Sequence, residues 1–412
     1  MRSFLRKVSV ALDVLKNDGP RHFWRRVQMN LRARVAGKTI YLPVKVSDAI
    51  AVDWTKPGPQ LQNPVVVTDR KSHIAWIMSP PSATSGGHQN LFRFIDFAER
   101  AGHTCSVHFY NSIGVVVDLK DMRRMLDQSP AYPVLKADFH NYDPELGVGP
   151  GIDALFATGW ETAYPAFTDA SDARRFYFVQ DFEPAFYAAG TEAILAENTY
   201  HFGFHGITAG GWLSKKLHDE YGMPTDHFDF SVERKHYSVT NTGPRKEIFF
   251  YARPVTPRRA FELGVLALAE FAKQRPEYTI NMAGWDVSDW DIPFPYENLS
   301  GLEISELNPI YNRCAAGLVL SLSNMSLLPL ELIAAGVAPV VNDAPNNRLV
   351  SDNPYIEYVL PAPGAIADRL VEVVDRPDAA ERSVAMSESL EHTTWADSGR
   401  QFVEAFERAM RG

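Results

Sequence analysis

The sequence predicts an α/β protein in which two parallel-sheet domains face a cleft, with a basic helical extension ahead of them. Three observations carry this. From His73 onward, strand-like and helix-like segments alternate, the pattern of a parallel sheet covered on both faces. The stretch Ala316–Asn342, AGLVLSLSNMSLLPLELIAAGVAPVVN, packs a strand, a helix and a second strand around a single acid, Glu331. Finally, 412 residues exceed one ordinary core, and the turn cluster Asn241-Thr242-Gly243-Pro244 breaks the alternation near its middle. The expected division is an extension over 1–60, a first domain over 61–243 completed by a terminal helix at 394–412, and a second domain over 244–393.

Taken in order, residues 1–38 hold ten Lys or Arg against Asp13 and Asp18, a local charge of +8 in a chain whose formal net charge is −9. Phe4, Val8, Leu12 and Leu15, then Phe23, Val27, Leu31 and Val35, fall at helical spacing with the basic residues on other faces. Two readings stay open for this segment: a basic hairpin lying peripherally on an anionic membrane surface, or helices docked on the protein's own acidic body. Nucleic acid is not an expected partner, because the acidic body repels phosphates.

In the first domain His73–Met78 reads as a strand, Gln89–Arg100 as an amphipathic helix and Cys105–Tyr110 as the next strand. Ala154–Thr158, Phe176–Val179 and Gly206–Ala209 continue the sheet. The second domain restarts with strand Ile248–Ala252, helix Arg259–Lys273 and strand Tyr278–Ala283. The strand Gly317–Leu322, the helix Leu327–Ala335 and the strand Val337–Val341, which follows the helix-ending Gly336, complete it. The last helix is expected over Ser398–Met410.

The composition, 45% hydrophobic and 22% charged, is that of a globular protein. Two cysteines far apart, Cys105 and Cys314, give neither a disulfide framework nor zinc spacing. No run of about 18 apolar residues predicts a membrane span, and Val8–Leu15 is a poor secretory signal. The expected location is the cytoplasm, with peripheral contact at the inner face of the membrane under the first reading of residues 1–38.

Four segments could carry chemistry. Glu331 sits in a helix after the carboxyl end of a parallel-type strand, where open α/β sheets bind ligands. The amides of Ser326 and Leu327 at that helix start can face a phosphate; the alternative is a surface glutamate. Ser79-Pro80-Pro81-Ser82-Ala83-Thr84-Ser85-Gly86-Gly87 links a strand to a helix and offers the amides of Gly86 and Gly87 to an anion or to hydroxyls, or is simply a flexible connection. Arg253, Arg258 and Arg259 follow the strand Ile248–Ala252; two fixed cations suit a diphosphate, and Arg259 is expected only to cap surface acids. Asp181 and Glu183 lie just past an apolar strand, where acids project into clefts. Asp289 and Asp291 form a lone Asp-x-Asp that does not complete the shell of a hard cation, so no metal is expected.

Together these residues carry a resemblance. Ser323 to Val340 resembles the donor-binding signature of glycosyltransferase family 4, E-x7-E followed by a small-residue helix and "GVPVV". Glu331 matches the second glutamate, Gly336, Pro339 and Val340 match the tail, and Ser323 stands where the first glutamate belongs. "HQNLFRFIDFAERAGH" from His88 resembles the family's first helix, and the segment from Ile248 to Arg259 resembles "Y-x-G-R-L-x-P-x-K-G", with Arg253 as its arginine and Arg258, with Arg259 as the other candidate, at its lysine. Gln180-Asp181 stands where many members have His-Asp, and "VQDFEPAFYAAG" is most similar to bacterial WsaF-type rhamnosyltransferases.

The resemblance implies a GT-B fold of two Rossmann-like domains and retaining transfer of a sugar from a nucleotide diphosphate donor, deoxythymidine-diphosphate rhamnose, to a cell-surface glycan or lipid-linked glycan acceptor. It implies no cofactor or metal. Arg253 and Arg258 would hold the diphosphate, Glu331 the ribose-type hydroxyls, Gly284 and Trp285 the base, and Gly86 and Gly87 the region of the reacting sugar. Asp181, Glu183, Arg253 and Arg258 would be the catalytic set. Two alternatives remain: a sugar-nucleotide epimerase, and a non-catalytic module that binds glycan or a partner transferase.

Overall fold

A computed structural model describes residues 42–56, 65–68, 70–82 and 85–412 of the chain. The basic stretch 1–38, with its membrane and self-docking readings, lies outside the described residues. Of the 1–60 segment, one short helix, Val46–Ala51, is described.

The first sheet has seven strands: β1 His73–Met78, β2 Thr104–Phe109, β3 Asp138–Asn141, β4 Ala154–Ala157, β5 Arg174–Val179, β6 His205–Ala209 and β7 Thr225–Phe228. They run in the order 3-2-1-4-5-6-7, and every pairing is parallel. The second has six: β8 Glu247–Tyr251, β9 Thr279–Ala283, β10 Tyr296–Leu299, β11 Cys314–Val319, β12 Ala338–Asn342 and β13 Glu357–Val359. Their order is 10-9-8-11-12-13, again parallel throughout.

Central strands such as Ala154–Ala157 and Ala338–Asn342 are buried along their whole length, because helices cover both faces. The sequence segments not foreseen as strands, DFHN, TDHF, YENL and EYV, are the short polar ones at or near the sheet edges.

In each sheet the strand order reverses at one place, between β1 and β4 in the first and between β8 and β11 in the second. Loops diverge there and leave a crevice at the strands' carboxyl ends. The loop carrying Gly86 and Gly87 follows β1. Those carrying Arg253 and Ser323 to Leu327 follow β8 and β11, so both switch points open onto candidate residues.

The terminal helix, Trp395–Arg411, packs on the first sheet although it follows the second in sequence. Phe402 and Phe406 meet an aromatic layer in which Trp76 stacks on Phe156 at 4.2 Å and Phe156 on Phe176 at 4.8 Å. Gly399 lets this helix lie against the Gly86–Arg100 helix, since a Cβ there would sit 2.5 Å from Phe97. Lys71 and Asp226 of the first domain pair with Glu407 and Arg408 of the helix. The helix therefore straps the chain's end to its first half.

Candidate active site

The loop after β11 is the most heavily braced part of the cleft. The strand ends at Val319, three residues before the expected Leu322, because Ser321 turns its polar groups to other partners. Its amide donates to Asn342 Oδ1 at 2.8 Å and its hydroxyl to the Asn324 carbonyl at 2.6 Å. The side-chain amides of Asn342, Asn346 and Asn347 all donate to the Ser321 carbonyl. Such bracing fixes Ser323 to Leu327 in space.

Within that braced loop several polar groups lack a partner. The hydroxyls of Ser323 and Ser326 and the Asn324 Oδ1 are buried and unpaired, as is Arg253 Nε across the crevice. Among the described residues the backbone amides of Ser326 and Leu327 find no protein acceptor either. A native fold leaves few such groups, and a cluster of them calls for an explanation. The cluster lies in the crevice at the β8/β11 switch point.

Arg253 makes a hydrogen bond with Tyr251 Oη at 3.4 Å and lies 5.9 Å from both the Tyr251 and Trp285 rings. Among the described residues it has no carboxylate partner. Trp285 is 40% exposed, and Gly284 beside it is required: its φ is +112°, and a Cβ would meet Tyr251 at 2.8 Å.

The paired arginines face different partners. Arg258, expected to be free for a diphosphate, donates from Nε to Asp181 Oδ2 at 3.2 Å and lies 4.1 Å over Phe186, both in the first domain. Arg259, expected to cap surface acids, pairs with none among the described residues. Its Nη1 donates to Ser321 Oγ at 2.8 Å, on the loop that carries Ser323 and Ser326. Burial lowers its pKa, and the Asp181 charge opposes that. A sequence signal for this existed. Ala260 has φ +47° and is the sole non-glycine residue with positive φ among the described residues, so Pro257-Arg258-Arg259-Ala260 mirrors the motif's P-x-K-G with Ala260 in the glycine's place.

Asp181 and Glu183, expected as catalytic acids, are both occupied. Asp181 Oδ1 accepts from the Asn324 amide at 2.8 Å, so with Arg258 it joins the two domains. Asn324 adds bonds from Nδ2 to the carbonyls of Gln180 and Ala209. Glu183 is 5% exposed, and its Oε2 accepts from the Trp160 amide at 2.5 Å and from Tyr177 Oη at 2.7 Å. Burial, aided by the charge of Glu161, pushes its carboxyl up to about 8. It braces the loop after β5 instead of reaching the crevice.

Gly86 and Gly87 open the helix Gly86–Arg100, which begins three residues earlier than expected. Neither needs glycine for the protein's own packing: nothing lies within 4 Å of a Cβ at Gly86, and only Gln180 Nε2, at 3.8 Å, is near one at Gly87. Gln180 donates to the Gly87 carbonyl and accepts from Asn90, tying the end of β5 to this helix start. His88 locks the same corner through Ser85 Oγ at 2.7 Å and the Ser79 carbonyl at 2.9 Å.

Glu331 is half-buried. Tyr311 Oη donates to its Oε2 at 3.3 Å, Tyr237 stacks on Tyr311 at 5.7 Å, and burial pushes its carboxyl up to about 7 against the pull of the two hydroxyls and of Arg93. Arg93 comes from the first domain and lies 3.9 Å over Trp395. Asp289 and Asp291 are exposed. Among the described residues no three His, Cys, Asp or Glu are grouped to hold a metal, and no helix is long and apolar enough to cross a membrane.

With this geometry in view, solved structures can be compared. Staphylococcus aureus TarM, in a mutant form in complex with fondaparinux, α-GlcNAc-glycerol and UDP, superposes with a TM-score of 0.64 at 8% identity, over 83% of this chain and 100% of that one. Anabaena Alr3699/HepE in complex with UDP-glucose gives a TM-score of 0.59 at 12% identity, over 82% and 100%. The chain has the GT-B fold. Residues 246–371 match the family model of the WsaF C-terminal domain. The O-antigen biosynthesis protein RfbC of Myxococcus xanthus is 30% identical over 345 residues, which cover 79% of this chain and 26% of that protein. This GT-B chain thus spans about a quarter of the length of its curated relative.

Proposed function

We propose that the protein is a glycosyltransferase that moves a sugar from a nucleotide diphosphate donor onto an O-antigen or other cell-surface glycan. The observation that carries this is the cluster of unpartnered polar groups at the second switch point. Arg253 follows β8, and Ser323 and Ser326 follow the adjacent β11; Arg253 Nε and the two hydroxyls are buried and unpaired, Arg259 reaches the β11 loop at Ser321, and among the described residues no carboxylate pairs with either arginine. Cations and helix-start amides fixed around an oxyanion stabilise a departing diphosphate, and a closed crevice strengthens the effect. The match to the WsaF C-terminal domain falls on the half that holds these residues, and the solved relatives in complex with UDP and UDP-glucose share its fold.

In this reading Arg253 and Arg259 hold the diphosphate, Gly86 and Gly87 let the sugar approach the first domain, Trp285 walls the base and Glu331 accepts from the nucleotide's ribose-type hydroxyls. Asp181 and Glu183 are engaged in the fold, which leaves no free acid among them to act as a base and favours retaining chemistry of the glycosyltransferase family 4 type, driven by diphosphate departure. No metal is required for it. The donor sugar is rhamnose, as its deoxythymidine diphosphate: Ser323 puts a small neutral hydroxyl where a carboxylate would grip a hexose. The acceptor is a glycan or lipid-linked glycan met from the cytoplasmic side of the membrane.

The deciding experiment offers the purified protein deoxythymidine-diphosphate rhamnose, UDP-glucose and GDP-mannose with a rhamnose-ended acceptor. Transfer from the first alone is expected. Preference for a hexose donor rejects rhamnose, while binding without turnover of any donor turns the reading to a non-catalytic module.

A further inference from the structure

At the amino end of the second sheet, away from Arg253 and Ser326, lies a cavity of about 330 Å³. Lys246, Tyr278, Ala315 and Ala338 stand at the starts of β8, β9, β11 and β12 and form its floor. A five-residue strand at ~3.3 Å per residue puts this floor roughly 17 Å from the donor crevice. The two sites cannot share a small ligand.

The walls are cationic. Arg245, Lys246, Arg376 and Arg382 all line the cavity. Two of them share Glu357, Arg376 at 2.5 Å and Arg382 at 3.0 Å, with Arg369 joining from outside the cavity at 3.2 Å, and the charges of Asp378 and Glu372 also act on Arg376. Asp375, close to Lys246, is held by Arg275. Arg245 spends its guanidinium on the carbonyls of Asn241, Ala335 and Gly336 and on Ser383 Oγ, with no carboxylate. Lys246 lies 4.8 Å over the Tyr278 ring and pairs with no acid among the described residues. Four cations and no acid line the cavity itself; the nearby carboxylates Glu357, Asp375, Glu372 and Asp378 stand outside its lining.

Two further features point to what would balance the lining cations. Arg382 Nε is buried without a partner. The ten-residue helix Ala379–Glu388 opens at the cavity wall with Ala379 and Ala380; Asp378 before it makes no side-chain cap, which leaves first-turn amides available beside the carboxylates of Asp378 and Glu381. We propose that this cavity binds a phosphate-type oxyanion, free or as the phosphate of a nucleotide whose base lies against Tyr278. The bound anion offsets the cations of the lining. Through Arg245 it braces the Asn241 segment between the domains against Gly336, at the end of the helix that carries Glu331.

The test is calorimetric titration of the full chain with inorganic phosphate at constant ionic strength, using wild type, Arg253→Ala, Lys246→Glu and Arg376→Gln. Saturable binding is expected in wild type and in Arg253→Ala, weakened tenfold or more by Lys246→Glu and by Arg376→Gln, with melting temperatures in chloride unchanged. Arg376→Gln leaves Glu357 with Arg369 and Arg382, so the fold has support. A parallel titration with uridine monophosphate names the source when only the binding lost in Lys246→Glu is counted, which sets aside binding in the donor crevice: a lost component tighter than that of phosphate means a nucleotide, an equal one means free phosphate. Loss of phosphate binding in Arg253→Ala would place the anion in the donor crevice and overturn the proposal, as would wild-type affinity in Lys246→Glu.

Discussion

Replacing Glu183 with glutamine should flatten the pH dependence of the first domain's stability. The carboxyl of Glu183 titrates near 4.5 in an unfolded chain and is raised to about 8 in the fold, chiefly by burial and next by the charge of Glu161. A carboxyl raised on folding contributes stability that is fully present below pH 4.5 and is lost as pH rises through about 8, because the folded state must give up a proton it holds more tightly. Each tenfold gain in proton affinity corresponds to about 1.36 kcal/mol, so the window sets a ceiling of about 5 kcal/mol. Glu161 titrates with it, which divides the proton between the two, so we expect wild type to lose roughly 2 kcal/mol or more relative to Glu183→Gln between pH 5 and pH 9. The glutamine oxygen can still accept from the Trp160 amide and Tyr177 Oη. Urea unfolding followed by tryptophan fluorescence reads this, and the neighbouring Trp160 reports locally. Identical slopes for the two proteins between pH 5 and pH 9 would refute the argument that Glu183 is a buried, proton-holding brace.

Arg253→Ala should weaken donor binding by about 1.5 to 3 kcal/mol, the range for a charged hydrogen bond, measured by calorimetry on a protein that melts normally. Arg259→Gln should do the same, whereas Arg258→Gln should leave donor affinity closer to wild type and open the domains, seen as an increased radius of gyration in X-ray scattering. Equal donor loss in both arginine variants would restore Arg258 to the diphosphate site. Wild-type donor affinity should rise as pH passes about 7, where Glu331 ionises, and Glu331→Gln should abolish that rise in the same titration. Gly264→Ala should destabilise the second domain by about 1 to 3 kcal/mol, since its Cβ would fall 2.2 Å from Phe250 Cζ; an unchanged melting temperature would contradict this packing.

The sequence by itself determined the inner strands of both sheets and the segments at their carboxyl ends. Parallel strands buried on both faces read as continuous apolar runs, so HIAWIM, the FYFV of Phe176–Val179 and the APVV shared by Val337–Val341 and β12 were legible without neighbours. The edge strands were not, because half-exposed polar residues leave no such trace. The candidate residues Arg253, Glu331 and Gly86 could be singled out because each follows the carboxyl end of a strand, in a loop or in the helix after it. Their partners were not. Arg258 and Arg259 are adjacent in a tight turn, Pro257–Arg259, of about three residues per turn. Successive side chains there point roughly 120° apart, so one reaches Asp181 in the first domain and the other Ser321 in the second. Which arginine faces which domain depends on the turn's orientation, set by Ala260 at positive φ and by contacts between the domains that span 77 and 143 residues of chain. Asp181 and Glu183 show the same limit: a carboxylate after a strand has the same spelling whether it faces a ligand, a partner domain or a buried tyrosine, and only the packed fold supplies the group that it meets.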